Sequence, residues 1–98
     1  GGVTMIAHLR GRLFLKQPGH VIVDAGGVGY EVIISIPTFT ALPAEGAEVS
    51  LYVYTQVRED VLALYGFLDL KEKRLFERLI TVSGVGPRLA VTIREPPA

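Results

Sequence analysis

A chain of 98 residues has room for one small domain, or one domain and a fragment of a second, which excludes a large two-lobed enzyme. Ten Lys+Arg against ten Asp+Glu, 49% hydrophobic residues and no cysteine exclude a disordered segment, a disulfide scaffold, a polybasic tail and thiolate chemistry. No apolar run approaches the roughly 18 residues of a spanning helix and no leader pattern is present, so a cytoplasmic location with no membrane attachment is expected.

Residues 1–4 carry no pattern and are read as an expression remnant outside the fold. Over 7–15 the odd positions Ala7, Leu9, Leu13 and Leu15 are apolar and His8, Arg10 and Arg12 polar, the period of a half-buried strand. Residues 16–19 form a turn at the Pro18-Gly19 pair, and 20–25, rich in Val and Ile, form a second strand. Gly26-Gly27 allows a tight hairpin into a third strand over 30–36, with Tyr30, Val32, Ile34 and Ile36 on one face and Pro37 as its stop. One helical turn is expected over 37–42. Alternation over 48–57 puts Val49, Leu51, Val53, Thr55 and Val57 inward and Ser50, Tyr52, Tyr54 and Gln56 outward. A fifth strand, 61–67, answers it across a turn at Arg58-Glu59-Asp60. Five strands with a small helical plug between the third and fourth predict a mainly β fold, a five-stranded Greek-key barrel of the OB type over 5–68.

At Asp69 the period changes. Asp69 and Glu72 make a capping box, and Leu75, Phe76, Leu79 and Ile80 follow at helical spacing, which predicts a helix over 70–81 with Lys71, Lys73, Arg74 and Arg78 on its other faces. Residues 82–87 form a glycine-rich connector, and 88–94 start a second helix that Pro96 and Pro97 end. Charge follows the same division: four cations oppose six acids over 1–68, and six cations oppose four acids over 69–98. The second part is the expected anion binder.

Leu79, Val82, Gly84, Val85, Gly86, Ala90 and Ile93 match the spacing L-x-x-h-x-G-h-G-x-x-x-A-x-x-I of a helix-hairpin-helix, a motif of DNA binders that do not read sequence. Its glycines let a hairpin present consecutive backbone N–H groups at a helix N-terminus, where a phosphate is favoured, and Arg88 adds a charge-assisted donor. A lone G-x-G would be read as a plain connector; seven matched positions on both flanks reverse that. Glu59 and Asp60, taken alone, are ordinary turn residues, poorly arranged for acid–base catalysis or for a metal. His8 and His20 are too few for a structural zinc and are read as solvated. Tyr52 and Tyr54 form either a base-stacking platform or a cover for the barrel; the scarcity of cations around them favours the cover. Gly26 to Gly29 joins two strands with no helix after it, which argues against a nucleotide loop. No catalytic residue, metal site or cofactor is expected.

The order of these pieces adds a resemblance. D-x-G-G-V-G-Y-E-V from Asp24, V-R-E-D-x-x-x-L-Y-G-F from Val57, Thr38-Phe39, Leu42-Pro43, Leu75-Phe76 and the run from Ser83 to Ala90 are together similar to the N-terminal part of the RuvA family of Holliday-junction-binding subunits. What the resemblance implies is an OB barrel at the centre of a four-fold homotetramer that holds four-way junction DNA open, in recombination, DNA repair and the SOS response. The family works as the non-catalytic subunit beside RuvB, a separate ring ATPase, with the resolvase RuvC as a further partner. Carried over residue by residue, Glu59 and Asp60 become an acidic pin at the crossover, Gly84, Val85, Gly86 and Arg88 one phosphate clamp, and Arg58 a phosphate contact near the crossover. The family continues into a second helix-hairpin-helix and a motor-binding domain. A truncated piece or divergent end, with 69–98 as the first helix-hairpin-helix, is therefore expected, with reduced junction affinity. The alternatives are an OB-fold module for single-stranded DNA using Tyr52 and Tyr54, and a glycosylase or nuclease fragment, for which no catalytic residue is evident.

Overall fold

A computed structural model describes residues 5–58 and 61–82. Five strands, β1 (His8–Gln17), β2 (His20–Ala25), β3 (Val28–Ile33), β4 (Glu48–Arg58) and β5 (Val61–Phe67), close into a barrel in the order β1-β2-β3-β5-β4. Every neighbouring pair is antiparallel except β3 and β5, which run parallel and meet at Ile33 and Tyr65. Two helices complete the described chain: α1 (Ile36–Ala41) between β3 and β4, and α2 (Leu70–Val82) after the barrel. This is the expected OB-type barrel with its helical plug. No helix among the described residues is long and apolar enough to cross a membrane.

Alternation fills the barrel. Leu9, Leu13, Val21, Val23, Val32, Ile34, Val49, Leu51, Val53 and Leu64 form one buried cluster, joined by Leu42 from beyond α1. Gly66 lies in its wall, where a Cβ would stand 2.5 Å from Val32 Cγ1, so a side chain at this position would force the core to shift. At the β2–β3 hairpin Gly26 and Gly27 take φ values of 64° and 87°, and Asp24 Oδ1 accepts from Gly27 N at 3.0 Å, the left-handed pair that a two-residue turn requires.

The structure corrects the sequence reading at several edges. β1 runs on through Lys16 and Gln17, leaving only Pro18 and Gly19 as the turn. Its register slips between Leu13 and Leu15: the bulge leaves Phe14 unpaired and 68% exposed, and sets Leu15 opposite Ile22, off the inward face of Leu13 and Val23 on which the alternation put it. β3 starts two residues before Tyr30 and stops at Ile33. Ile34 N instead donates to Gly19 O at 3.0 Å, and Ser35 caps α1 by accepting from Thr38 N at 3.2 Å. Ile36 is therefore the exposed first residue of a helix rather than an inward strand residue. Val57 also faces solvent, because β4 outruns the barrel and no opposite wall stands beneath its last inward position.

A second core docks α2. The outer faces of β4 and β5 carry Tyr54, Tyr65 and Phe67, and the fully buried Phe76 ring sits against them at centroid distances of 5.2, 5.3 and 5.0 Å. Leu79 and Ile80 pack beside it. Leu75, expected on the same stripe, is exposed: it lies about 100° around the helix from Phe76, and the barrel covers only one side of α2. The helix starts as expected at Asp69, whose Oδ1 accepts from Lys71 N at 2.7 Å.

Candidate nucleic-acid interface

Two parts of the fold bear on a polyanion partner: the far end of the β4–β5 ribbon and the outward side of α2. In the ribbon, Gln56 pairs with Ala63, Val57 with Leu62 and Arg58 with Val61, so the ladder persists to the last residue on either side of the connection. Val57 and Leu62 lie on one face of the ribbon and Val61 on the other, yet all three are about half exposed or more. The ribbon end thus stands clear of the barrel with solvent on both faces. The residues that join it, Glu59 and Asp60, lie outside the described residues, as do Gly84, Val85, Gly86 and Arg88 of the expected hairpin. Of the expected site, only Arg58 is described, as the last residue of β4.

The parallel seam leaves a groove beside this ribbon. β3 and β5 meet at one register pair, and below it their strands open around Gly29, Tyr30, Glu31, Ile33, Leu62, Ala63 and Leu64. Glu31 lies 3.7 Å from His20 Nε2 across the β2–β3 pair. His8 sits beside Tyr52 on β4, and His20 faces Gln17 and Ile33, so register keeps the two histidines apart.

Two cations of the barrel are engaged locally. Arg10 Nη2 lies 3.1 Å from Glu48 Oε2, both side chains exposed, a pair worth little to stability. Lys16 Nζ donates to Leu42 O at 2.9 Å and lies 5.0 Å from the Phe39 ring centroid. Arg12 stands between Asp24 and Glu48 on the neighbouring strands. The tyrosines resolve into different roles. Tyr54 belongs to the aromatic cluster under α2, whereas Tyr52 is at the surface with His8 edge-on at 5.7 Å. A stacking platform needs two open rings, and here one is covered.

Sequence reasoning left α2 as a helix with scattered charge. In three dimensions Lys71, Arg74 and Arg78 fall within about 60° of one another around its axis, on the side away from Phe76. The signal was in the spacing i, i+3, i+7, which is legible only once the buried face of the helix is known.

The model of the RuvA N terminal domain matches residues 5–66, the whole barrel to within a residue of its end. The chain is 74% identical over 87 residues to a protein of Acidobacterium capsulatum named Holliday junction branch migration complex subunit RuvA, covering 89% of this chain and 44% of that protein. Proteins of the same name from Solibacter usitatus and Syntrophobacter fumaroxidans are 63% and 53% identical over 89 residues, each covering 91% of this chain and 45% of the relative. The chain thus spans less than half the length of these relatives.

Proposed function

Because this chain belongs to the RuvA N-terminal domain family, we propose that it binds four-way junction DNA as the non-catalytic subunit of a branch-migration complex, assembling as a homotetramer around the crossover in the cytoplasm. The observation that carries this reading is the match across the whole barrel, joined to a β4–β5 ribbon whose end stands free of the fold. In this reading the ribbon delivers Glu59 and Asp60 to a common axis, two carboxylates from each of four copies. Like charges within a Debye length of about 8 Å repel phosphates even at physiological salt, so strands are held apart at the centre without covalent chemistry. Gly84, Val85, Gly86 and Arg88 hold the arms through backbone N–H groups and one guanidinium, and Arg58 contacts a phosphate beside the pin. Opposed pull on the arms and push at the centre separate and re-pair bases as the junction slides. The motor is a separate ATPase of the RuvB type, and the resolvase RuvC shares the junction.

Binding of this kind reads backbone and shape, and is therefore indifferent to sequence and steep in salt. The test is a gel-shift series with a four-way junction, a linear duplex and a single strand of the same sequence, together with the mass in solution. Preference for the junction and a four-copy mass are expected. Preference for the single strand overturns the reading in favour of a single-strand module, although the covered Tyr54 ring speaks against that outcome.

A further inference from the structure

The outward side of α2 has no role in the fold and none in the reading above. Lys71, Arg74 and Arg78 occupy it as a single strip, each side chain exposed, and Arg74, Glu77, Arg78 and Thr81 line a shallow depression on the same side. Lys71 and Arg78 form no ion pair among the described residues; Arg74 Nη1 lies 3.7 Å from Glu77 Oε1, a distance at which an exposed pair is weak and exchangeable. Helices of proteins of balanced charge usually mix signs on their solvent face. Here the acids Glu72 and Glu77 sit at its margins, and both are partly buried.

The geometry fits a nucleic-acid backbone. From Lys71 to Arg78 the helix rises about 10 Å, and phosphates along one strand of B-DNA advance about 3.4 Å each, so the strip spans about three phosphates. Around one depression two guanidiniums and a hydroxyl supply the fork geometry and the neutral donor that a phosphate takes, beside the Glu77 carboxylate that Arg74 faces at 3.7 Å.

We propose that Lys71, Arg74 and Arg78, with Thr81, form a second phosphate-contacting surface on α2, which follows the backbone of a duplex arm in addition to the hairpin clamp. It rests on the proposed junction-binding function. It makes the arm contact longer and supplies affinity that does not depend on the connection at Gly84 to Gly86.

The test is junction binding by the 98-residue chain across a series of salt concentrations, comparing wild type with Lys71→Gln/Arg74→Gln/Arg78→Gln and with Lys73→Gln, a cation off the strip. The slope of log affinity against log salt counts phosphates neutralised, at about 0.9 each on duplex DNA. The triple variant is expected to lose about two to three units of slope and at least about tenfold in affinity near 0.1 M salt, with its circular dichroism and melting temperature unchanged. Lys73→Gln is expected to leave the slope within about half a unit. Glu77→Gln, which frees Arg74, is expected to tighten binding. A triple variant with the wild-type slope overturns the α2 surface and leaves the junction reading standing, as would a strip that serves an acidic protein instead. A wild-type chain that fails to bind the junction at any salt overturns the junction reading, and this surface with it.

Discussion

Replacing Phe76 with alanine tests how α2 is held. The ring is fully buried and meets Tyr54, Tyr65 and Phe67 within 5.3 Å between centroids. A buried aromatic side chain of about 200 Å², at about 25 cal/mol per Å², contributes about 5 kcal/mol before the part alanine retains is subtracted. Three aromatic neighbours add a fraction of a kcal/mol to about 1 kcal/mol each, and a cavity among rigid rings relaxes poorly. A loss of about 4 kcal/mol is expected, against about 1 kcal/mol for Phe76→Leu, which keeps most of the volume. Because α2 touches the described barrel through β4 and β5, the loss falls first on helix docking. Amides of 77–81 are expected to lose their protection from hydrogen exchange while those of β1 and β2 keep theirs. Urea unfolding followed by far-ultraviolet circular dichroism gives the free energy, and tyrosine fluorescence, with no tryptophan to mask it, follows four tyrosines of which Tyr54 and Tyr65 belong to this core. A Phe76→Ala chain that loses less than about 1 kcal/mol and keeps its α2 amides protected would refute the account of the second core.

Gly66→Ala places a methyl 2.5 Å from Val32 Cγ1 and is expected to cost about 1–3 kcal/mol in urea unfolding; adding Val32→Ala should recover part of it, and an unperturbed single variant contradicts the close approach. Glu59→Lys with Asp60→Lys is expected to leave folding and junction affinity nearly intact while removing control of crossover opening, read with a base-analogue fluorophore at the junction centre; lost binding counts against the pin. Gly84→Val with Gly86→Val is expected to weaken binding to all sequences alike, because branched side chains keep the connection from presenting its backbone N–H groups to a phosphate, and an unchanged affinity and salt slope contradicts that role.

Much of this protein follows from local pattern. Period-two alternation located the first, third and fourth strands, because a strand with one buried face must place its apolar residues at every second position, and Leu51 and Val53 at zero exposure are the outcome; Val and Ile content and a turn at Arg58 to Asp60 gave the other two. The capping carboxylate of Asp69 and the Gly26-Gly27 turn were equally local, since each is a backbone requirement met by one or two residues. The resemblance to a family likewise lay in contiguous runs of sequence. Tertiary structure decided what depends on having a neighbour. Val57 and Leu75 keep the pattern of core residues but face solvent, because burial needs an opposing wall and the barrel offers none at either place. Ser35 rather than Pro37 marks the turn from β3 into α1, because the ladder to β2 gives out at Ile33 and the freed backbone groups find a hydroxyl. Tyr52 and Tyr54, identical in pattern, differ only because α2 covers one of them. The cationic strip on α2 became a surface when Phe76 fixed which side of the helix faces the barrel: periodicity says which residues share a side, and only docking says which side is left to solvent.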